Sequence, residues 1–323
     1  MREIEKLLVL FSMCEIPNKK QELIIKLLGD KSIEQALNDK VVFENLSTEE
    51  YQKLLKSYNK QTFESMLTNM KNSEIEIVSV FSDRYPKSLF DLDDRPLILY
   101  AKGDLTLCEK KCIAIVGTRV PSNYGRIITE KFAKNLAQSG VVIVSGLCYG
   151  VDAIAHKATL DVGGKTIAVI GSGFNNIYPA SNTNLAGEIA EKGLILSEYP
   201  PSFTAKRYTF PRRNRIVAGL SDGVLITEAG LKSGTVHTKD FALDYGKDVF
   251  AVPGNIISKT SELTNYLIKY GHAECALSPD DIIEFYGLNK VQQEKKVENV
   301  SLDEQTIMSL LADGEQDFDF LHE

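Results

Sequence analysis

An α/β fold built on a doubly wound parallel sheet is what this sequence predicts, and three observations predict it. From residue 75 onward short β-branched runs alternate with helical stretches. The runs are apolar almost throughout instead of alternating with polar residues, as strands buried on both faces are. Polar or glycine-rich turns follow most of them, which is the spacing of repeated strand–helix units.

Strands are expected at 75–80, 97–100, 112–116, 141–145, 166–170, 194–197, 223–227 and 248–252, with helices at 126–138, 152–161, 183–192 and 235–245. Together they make a Rossmann-like domain over residues 75–287. Ahead of it, residues 1–74 read as about four or five short helices. Ile4, Leu7, Leu8 and Phe11 keep helical spacing, as do Leu23, Ile24, Leu27 and Leu28. Ser47 and Glu50 have the capping-box spacing ahead of Tyr51, Leu54 and Leu55. Residues 288–323 begin as a polar linker to Val300, then repeat that spacing at Ser301 and Glu304 before Ile307, Leu310 and Leu311. A tail this short buries no core of its own and reads as the start of a further domain.

Composition bounds the class. With 43% hydrophobic and 25% charged residues in 323, the chain is neither fibrous nor disordered. No apolar run approaches the roughly 20 residues of a membrane helix. The first five residues carry Glu3 and Glu5 and no signal-peptide apolar stretch. Five cysteines without framework spacing point to reduced thiols and a cytoplasmic location.

The net charge of −7 is unevenly distributed. Residues 1–74 hold 11 Lys and Arg against 12 acids, residues 75–287 hold 23 of each, and residues 288–323 hold 3 against 9. Within the neutral middle, residues 199–221 carry Lys206, Arg207, Arg212, Arg213 and Arg215 and no acid. A cationic stretch in a neutral domain is a polyanion signal.

Parallel sheets bind ligands beyond the carboxyl ends of their strands, so the loops there are the candidates. In the first, Gly117 permits a tight turn and Arg119 offers a planar fork to an anion at the next helix start. The second runs Ser145-Gly146 to Asp152, expected as a helix N-cap. The third brings Ser233, Gly234 and Thr235 to a helix start as backbone and hydroxyl donors. Three such loops on one edge make an anion-binding rim. Between them, Phe203 to Arg215 interleaves rings with cations, so that bases stack on Tyr208 or Phe210 while Lys206, Arg207, Arg212 and Arg213 meet phosphates. Pro211 is expected at a helix start, with Arg212, Arg213 and Asn214 in the first turn. The alternative reading puts Tyr208 and Phe210 in the core and Arg215 in an internal ion pair.

Other signatures match only in letters. Gly219-Leu220-Ser221-Asp222-Gly223 spells a nucleophile elbow, but a helix precedes it and a strand follows, the reverse of what that turn needs. Gly164-Lys165-Thr166 leads into a strand and lacks the first glycine of a phosphate loop. Gly171-Ser172-Gly173 lacks the third glycine of a dinucleotide fingerprint. The four histidines are scattered, and Cys108 and Cys112 read as core. No catalytic residue, metal or cofactor is expected.

Gly117-Thr118-Arg119, SGLCYGVD at 145–152 with Ala155-His156, Tyr178-Pro179, Leu196-Ser197-Glu198, FPRRNRIVAGLSDG at 210–223, EAGLKSGT at 228–235 and VFAVPG at 249–254 resemble, in this order, the DNA-processing protein A family (DprA, also called Smf). The helical N-terminal region, and a tail similar to the first part of a winged-helix domain, suit that family too. The resemblance implies a bacterial cytosolic protein that binds single-stranded DNA taken up in natural transformation, protects it and helps load the recombinase RecA. It also implies a homodimer formed through the Rossmann-like domain and no catalysis. Carried onto this chain, the DNA pocket falls on Arg119, Ser145, Gly146, Arg207, Phe210, Arg212, Asn214, Ser233, Gly234 and Thr235, to which the charge reading adds Lys206 and Arg213. Leu263-Thr264-Asn265 departs from the family's Gly-Thr-Asn.

The rival class is a nucleotide-processing enzyme like the LOG-type phosphoribohydrolases. These also set a Gly-Thr pair at a helix start, but Leu231-Lys232-Ser233 stands in place of their Pro-Gly-Gly and His237-Thr238 in place of their Glu. Glu228 is then the one substitute base, or a structural partner of Arg215. A plain scaffold recruiting partners through the N-terminal helices leaves the basic aromatic stretch unexplained.

Overall fold

The apolar spacing of the first 74 residues produces six helices in the computed structural model, which describes residues 1–29 and 31–289. They are α1 (Glu3–Met13), α2 (Asn18–Leu28), α3 (Ile33–Leu37), α4 (Lys40–Asn45), α5 (Thr48–Ser57) and α6 (Lys60–Asn72). The count exceeds the expected one because α3 and α4 are too short to show a period. Ser47 caps α5 as expected, its hydroxyl accepting the Glu50 N–H. Ile24 and Leu28 are buried, whereas Leu23 and Leu27 face solvent. Leu8, Leu10 and Phe11 of α1 pack with Leu54 and Phe63, and Ile98 and Tyr100 complete this core.

Those last two residues belong to a nine-stranded sheet: β1 (Glu76–Ser79), β2 (Ile98–Gly103), β3 (Cys112–Val116), β4 (Val142–Ser145), β5 (Thr166–Ile170), β6 (Leu194–Ser197), β7 (Gly223–Ile226), β8 (Asp248–Ala251) and β9 (Glu274–Cys275). All eight expected runs form strands. β9, two residues without a β-branched run, escapes sequence reading. β3 to β9 pair in parallel, but β1 and β2 form an antiparallel edge, with β2 antiparallel to β6. The link from β1 to β2 holds only the one-turn helix α7 (Lys87–Phe90), not a helix able to carry a parallel crossover.

Both faces of the sheet are covered. Along β3, Cys112, Ala114 and Val116 enter one core and Ile113 and Ile115 the other, the two-residue period of a strand. On the second side lie α8 (Asn123–Gln138), α9 (Val151–Asp161), α10 (Thr183–Lys192) and α14 (Pro279–Phe285). Packed on the first are α7, α11 (Thr209–Leu220), α12 (Thr235–Asp244) and α13 (Glu262–Lys269). Ser221 closes α11, its hydroxyl donating to the Val217 carbonyl. Met1–Asn289 form one compact unit. The linker and winged-helix-like start expected in the tail lie outside the described residues from 290 onward.

Strand order is β1-β2-β6-β5-β4-β3-β7-β8-β9. From β3 the chain lays β4, β5 and β6 on one side, then returns to lay β7, β8 and β9 on the other. The loops leaving β3 and β7 therefore diverge, and a crevice opens at their carboxyl ends.

Candidate nucleic-acid interface

A cleft of about 990 Å³ fills that crevice. Gly117, Thr118 and Arg119 enter it from the loop after β3, and Gly146 and Cys148 from the loop after β4. The turn ahead of α11 contributes Arg207, the start of α11 contributes Phe210 and Asn214, and the loop after β7 contributes Lys232, Ser233, Gly234 and Thr235. Lys259 and Thr260 come from the loop after β8.

One carboxylate ties this rim together. Ser122 caps α8 by accepting the Gly125 N–H at 3.1 Å, and donates its own N–H and hydroxyl to Glu228, each at 2.8 Å. The Thr260 hydroxyl donates to Glu228 at 2.5 Å, and the Thr118 N–H to its backbone carbonyl at 2.7 Å. Glu228, 2% exposed, thus joins the loops after β3, β7 and β8. It is not the partner of Arg215.

The basic stretch is divided between inside and outside. Arg215 is buried and pairs with Glu198 at 2.6 Å and with Asp94 at 3.5 Å, the internal ion pair that the alternative reading expected. Burial alone would raise the Glu198 carboxyl, but the Arg215 and Arg212 guanidiniums and the Asn18 amide outweigh it and hold it below the usual carboxylate range. Arg212 points at Glu198 and Asn18, both at 3.2 Å, and not into the cleft. Lys206 is held outside the cleft by Glu15. Arg213 lines the cleft but is only 3% exposed. Its guanidinium donates to the carbonyls of Gly146 and Val169 and lies 3.3 Å from the Cys148 sulfur. A Cβ at residue 146 would overlap that guanidinium, so this close approach requires glycine. Helix α11 begins at Thr209, two residues before the expected Pro211, and turns Arg213 and Arg215 toward the sheet. There a cation needs bonded partners.

Of the five cations in the stretch, Arg207 alone faces the cleft with no hydrogen-bond or ion-pair partner among the described residues. Arg119, Lys232 and Lys259 share that condition, so the free cations of the rim come from four different loops. The Arg119 guanidinium lies over the Phe210 ring at 5.5 Å, and the half-exposed Tyr178 ring sits 5.3 Å from Phe210. Ser233 accepts the Thr235 N–H at 3.2 Å, and Asn214 reaches the Gly234 carbonyl at 3.5 Å. Ser145 lies outside the lining, buried, its hydroxyl donating to the Ile115 carbonyl at 2.7 Å. Asp152 does not cap α9, whose N-cap is Gly150; it sits one residue inside and accepts the Cys148 N–H at 3.2 Å. Burial pushes its carboxyl upward against the opposing charge of Arg213.

The cleft therefore gathers nine of the twelve expected residues: Arg119, Gly146, Arg207, Phe210, Arg213, Asn214, Ser233, Gly234 and Thr235. Sequence reading missed Tyr178, Lys232 and Lys259. The first two stand inside motifs already noted, whereas Lys259 has no local signal. No helix among the described residues is long and apolar enough to cross a membrane.

Comparison with known proteins identifies the family. Residues 76–287 match the model of the family described as DNA recombination-mediator protein A. DNA processing protein DprA of Bacillus subtilis is 40% identical over 220 residues, 68% of this chain and 74% of that protein. Protein Smf of Escherichia coli is 40% identical over 229 residues, 71% of this chain but 61% of the longer relative. The X-ray structure of DprA from Streptococcus pneumoniae superposes with a TM-score of 0.77 at 31% identity, covering 88% of this chain and 98% of that one. A structure of DprA from Helicobacter pylori, titled for its single-stranded DNA binding mode, has a TM-score of 0.60 at 36% identity and covers 66% and 97%. The chain belongs to the DNA recombination-mediator protein A family, whose relatives carry the names DprA and Smf.

Proposed function

We propose that the cleft binds single-stranded DNA, and that the protein protects a strand taken up in natural transformation and helps load RecA onto it, without catalysis and without a cofactor. The observation that carries this reading is the Arg119–Phe210 pair set beside three further cations, Arg207, Lys232 and Lys259, that have no hydrogen-bond or ion-pair partner among the described residues. Rings accept the faces of bases while cations meet phosphates, and neither reads base order. A duplex keeps its base faces stacked, so the pair favours a single strand. On this reading Arg119, Arg207, Lys232 and Lys259 meet phosphates, Phe210 and Tyr178 meet bases, and Asn214 with the backbone at Ser233, Gly234 and Thr235 positions the strand. The buried Arg213 shapes the floor beneath it.

RecA and a cytoplasmic location belong to the same reading by family. So does a homodimer, for which the edge strand β9 and the exposed Ile256, Ile257 and Leu277 offer a surface among the described residues. The engagement of Glu228 by Ser122 and Thr260 weighs against its use as a base in the enzyme reading. The test is binding of a labelled single strand against duplex competitor, followed by RecA filament assembly on coated single strands. Binding with no preference for the single strand rejects the assignment.

A further inference from the structure

Glu15 lies in the turn between α1 and α2 at φ 57°, a left-handed conformation uncommon outside glycine. Its carboxylate reaches the basic stretch. Lys206 Nζ bonds the two carboxylate oxygens at 2.8 and 2.9 Å, and the Tyr208 hydroxyl donates to one of them. The same ammonium lies over the rings of Phe203, at 5.1 Å, and Tyr208, at 5.7 Å. An anion held by an ammonium and a phenol beside exposed aromatic surface is what a DNA phosphate would meet at this place. Arg207, between Lys206 and Tyr208 in the chain, has no such partner among the described residues and lines the cleft.

We propose that Glu15 is a built-in substitute for a phosphate: it withholds Lys206 and Tyr208 from the strand and ends the nucleic-acid track at Arg207. The inference rests on the single-strand reading above. The Lys206 side chain is 47% exposed and that of Glu15 26%, so the contact stands where a polyanion can reach it. Behind it lies a cavity of about 130 Å³, lined by Glu15, Asn18, Glu198, Tyr208 and Arg212 among others. Lys53, 3.4 Å from Glu15, is the one other cation among the described residues that pairs with the carboxylate, so Glu15 keeps a partner when Lys206 is removed.

Salt titrations of single-strand affinity test this in the full chain, using wild type, Glu15→Gln, Lys206→Ala and the double variant. Glu15→Gln steepens the log–log salt slope by about 0.7, the increment for one further phosphate contact on a single strand. Lys206→Ala alone leaves the slope unchanged, and the double variant returns to it. A wild-type slope in Glu15→Gln, or a flatter slope in Lys206→Ala alone, overturns the proposal. A second readout needs no DNA: amine-reactive labelling measured by mass spectrometry, with Lys232 as internal reference. Lys206 labelling rises several-fold in Glu15→Gln, and equal labelling overturns the proposal. A wild type with no affinity for single strands contradicts the functional reading instead, so the two failures separate.

Discussion

The Arg119 guanidinium lies over the Phe210 ring, 5.5 Å from its centroid, although the two stand 91 positions apart in the chain. The loop after β3 and the first turn of α11 meet there because strand order places β7 beside β3. One group suits a phosphate, the other a base. Phe210→Ala is expected to weaken single-strand binding by about 1–3 kcal/mol at every salt concentration with the slope unchanged. Arg119→Ala flattens the slope by about 0.7. Anisotropy titrations of the two variants over a range of salt check both.

Cations that look alike in sequence should separate by experiment. Arg207→Ala and Lys259→Ala each flatten the salt slope by about 0.7 and leave unfolding by urea unchanged. Arg213→Ala, which strips bonded donors from buried carbonyls, lowers stability by about 1–3 kcal/mol. Equal effects of the three on both measurements would contradict the division.

Glu198 and Arg215 form a buried pair, with side-chain exposures of 7% and 4%. Removing one partner strands the other, so Glu198→Ala should cost about 3–5 kcal/mol in urea unfolding. Because the folded Glu198 titrates below its unfolded value, its ionic contribution is present above pH of about 4.3 and is lost as pH falls through the folded value. Stability of wild type and Glu198→Gln measured from pH 7 downward should therefore converge only in that acid range.

His156 is fully buried, and burial with the charge of Arg213 pulls it down to about 3. The Thr166 hydroxyl donates to the Ile143 carbonyl at 2.6 Å, so His156 Nδ1 is the donor in its 2.7 Å bond to Thr166. The unfolded imidazole takes up a proton near pH 6.5 that the folded one refuses. Stability is then intact above that pH and falls below it, by about 1.4 kcal/mol per pH unit from this residue. The difference between wild type and His156→Asn, followed by urea unfolding from pH 7 to 5, should show that slope.

Self-association is expected to depend on the sheet edge at β9. Leu277, 72% exposed beside β9, should yield a weaker dimer when changed to Glu, seen as a lower mass by sedimentation at equal concentration. An unchanged mass would move the contact elsewhere.

Most of the sheet was legible because buried parallel strands are apolar in unbroken runs, as Cys112–Val116 and Thr166–Ile170 are. The antiparallel edge was not, since pairing direction depends on what fills the link from β1 to β2. Nor was the crevice, a product of strand order. Charge alone did not separate the adjacent cations, and only Arg215 carried an internal ion pair as its alternative, yet helix rotation turns Arg213 inward as well and leaves Arg207 out. Lys259 is brought to the rim by tertiary contacts of its segment, the Thr260–Glu228 and Leu263–Ala229 hydrogen bonds, which no local pattern announces. Ser145 was read from its loop, whereas the β4 pleat buries its hydroxyl against Ile115.

The most direct test of the central claim is fluorescence anisotropy of a labelled, unstructured oligonucleotide titrated with the full chain at several salt concentrations, with duplex of equal length as competitor. Salt-sensitive binding that the duplex competes for poorly is the predicted result. No binding near physiological salt, or equal competition by duplex, would contradict the account.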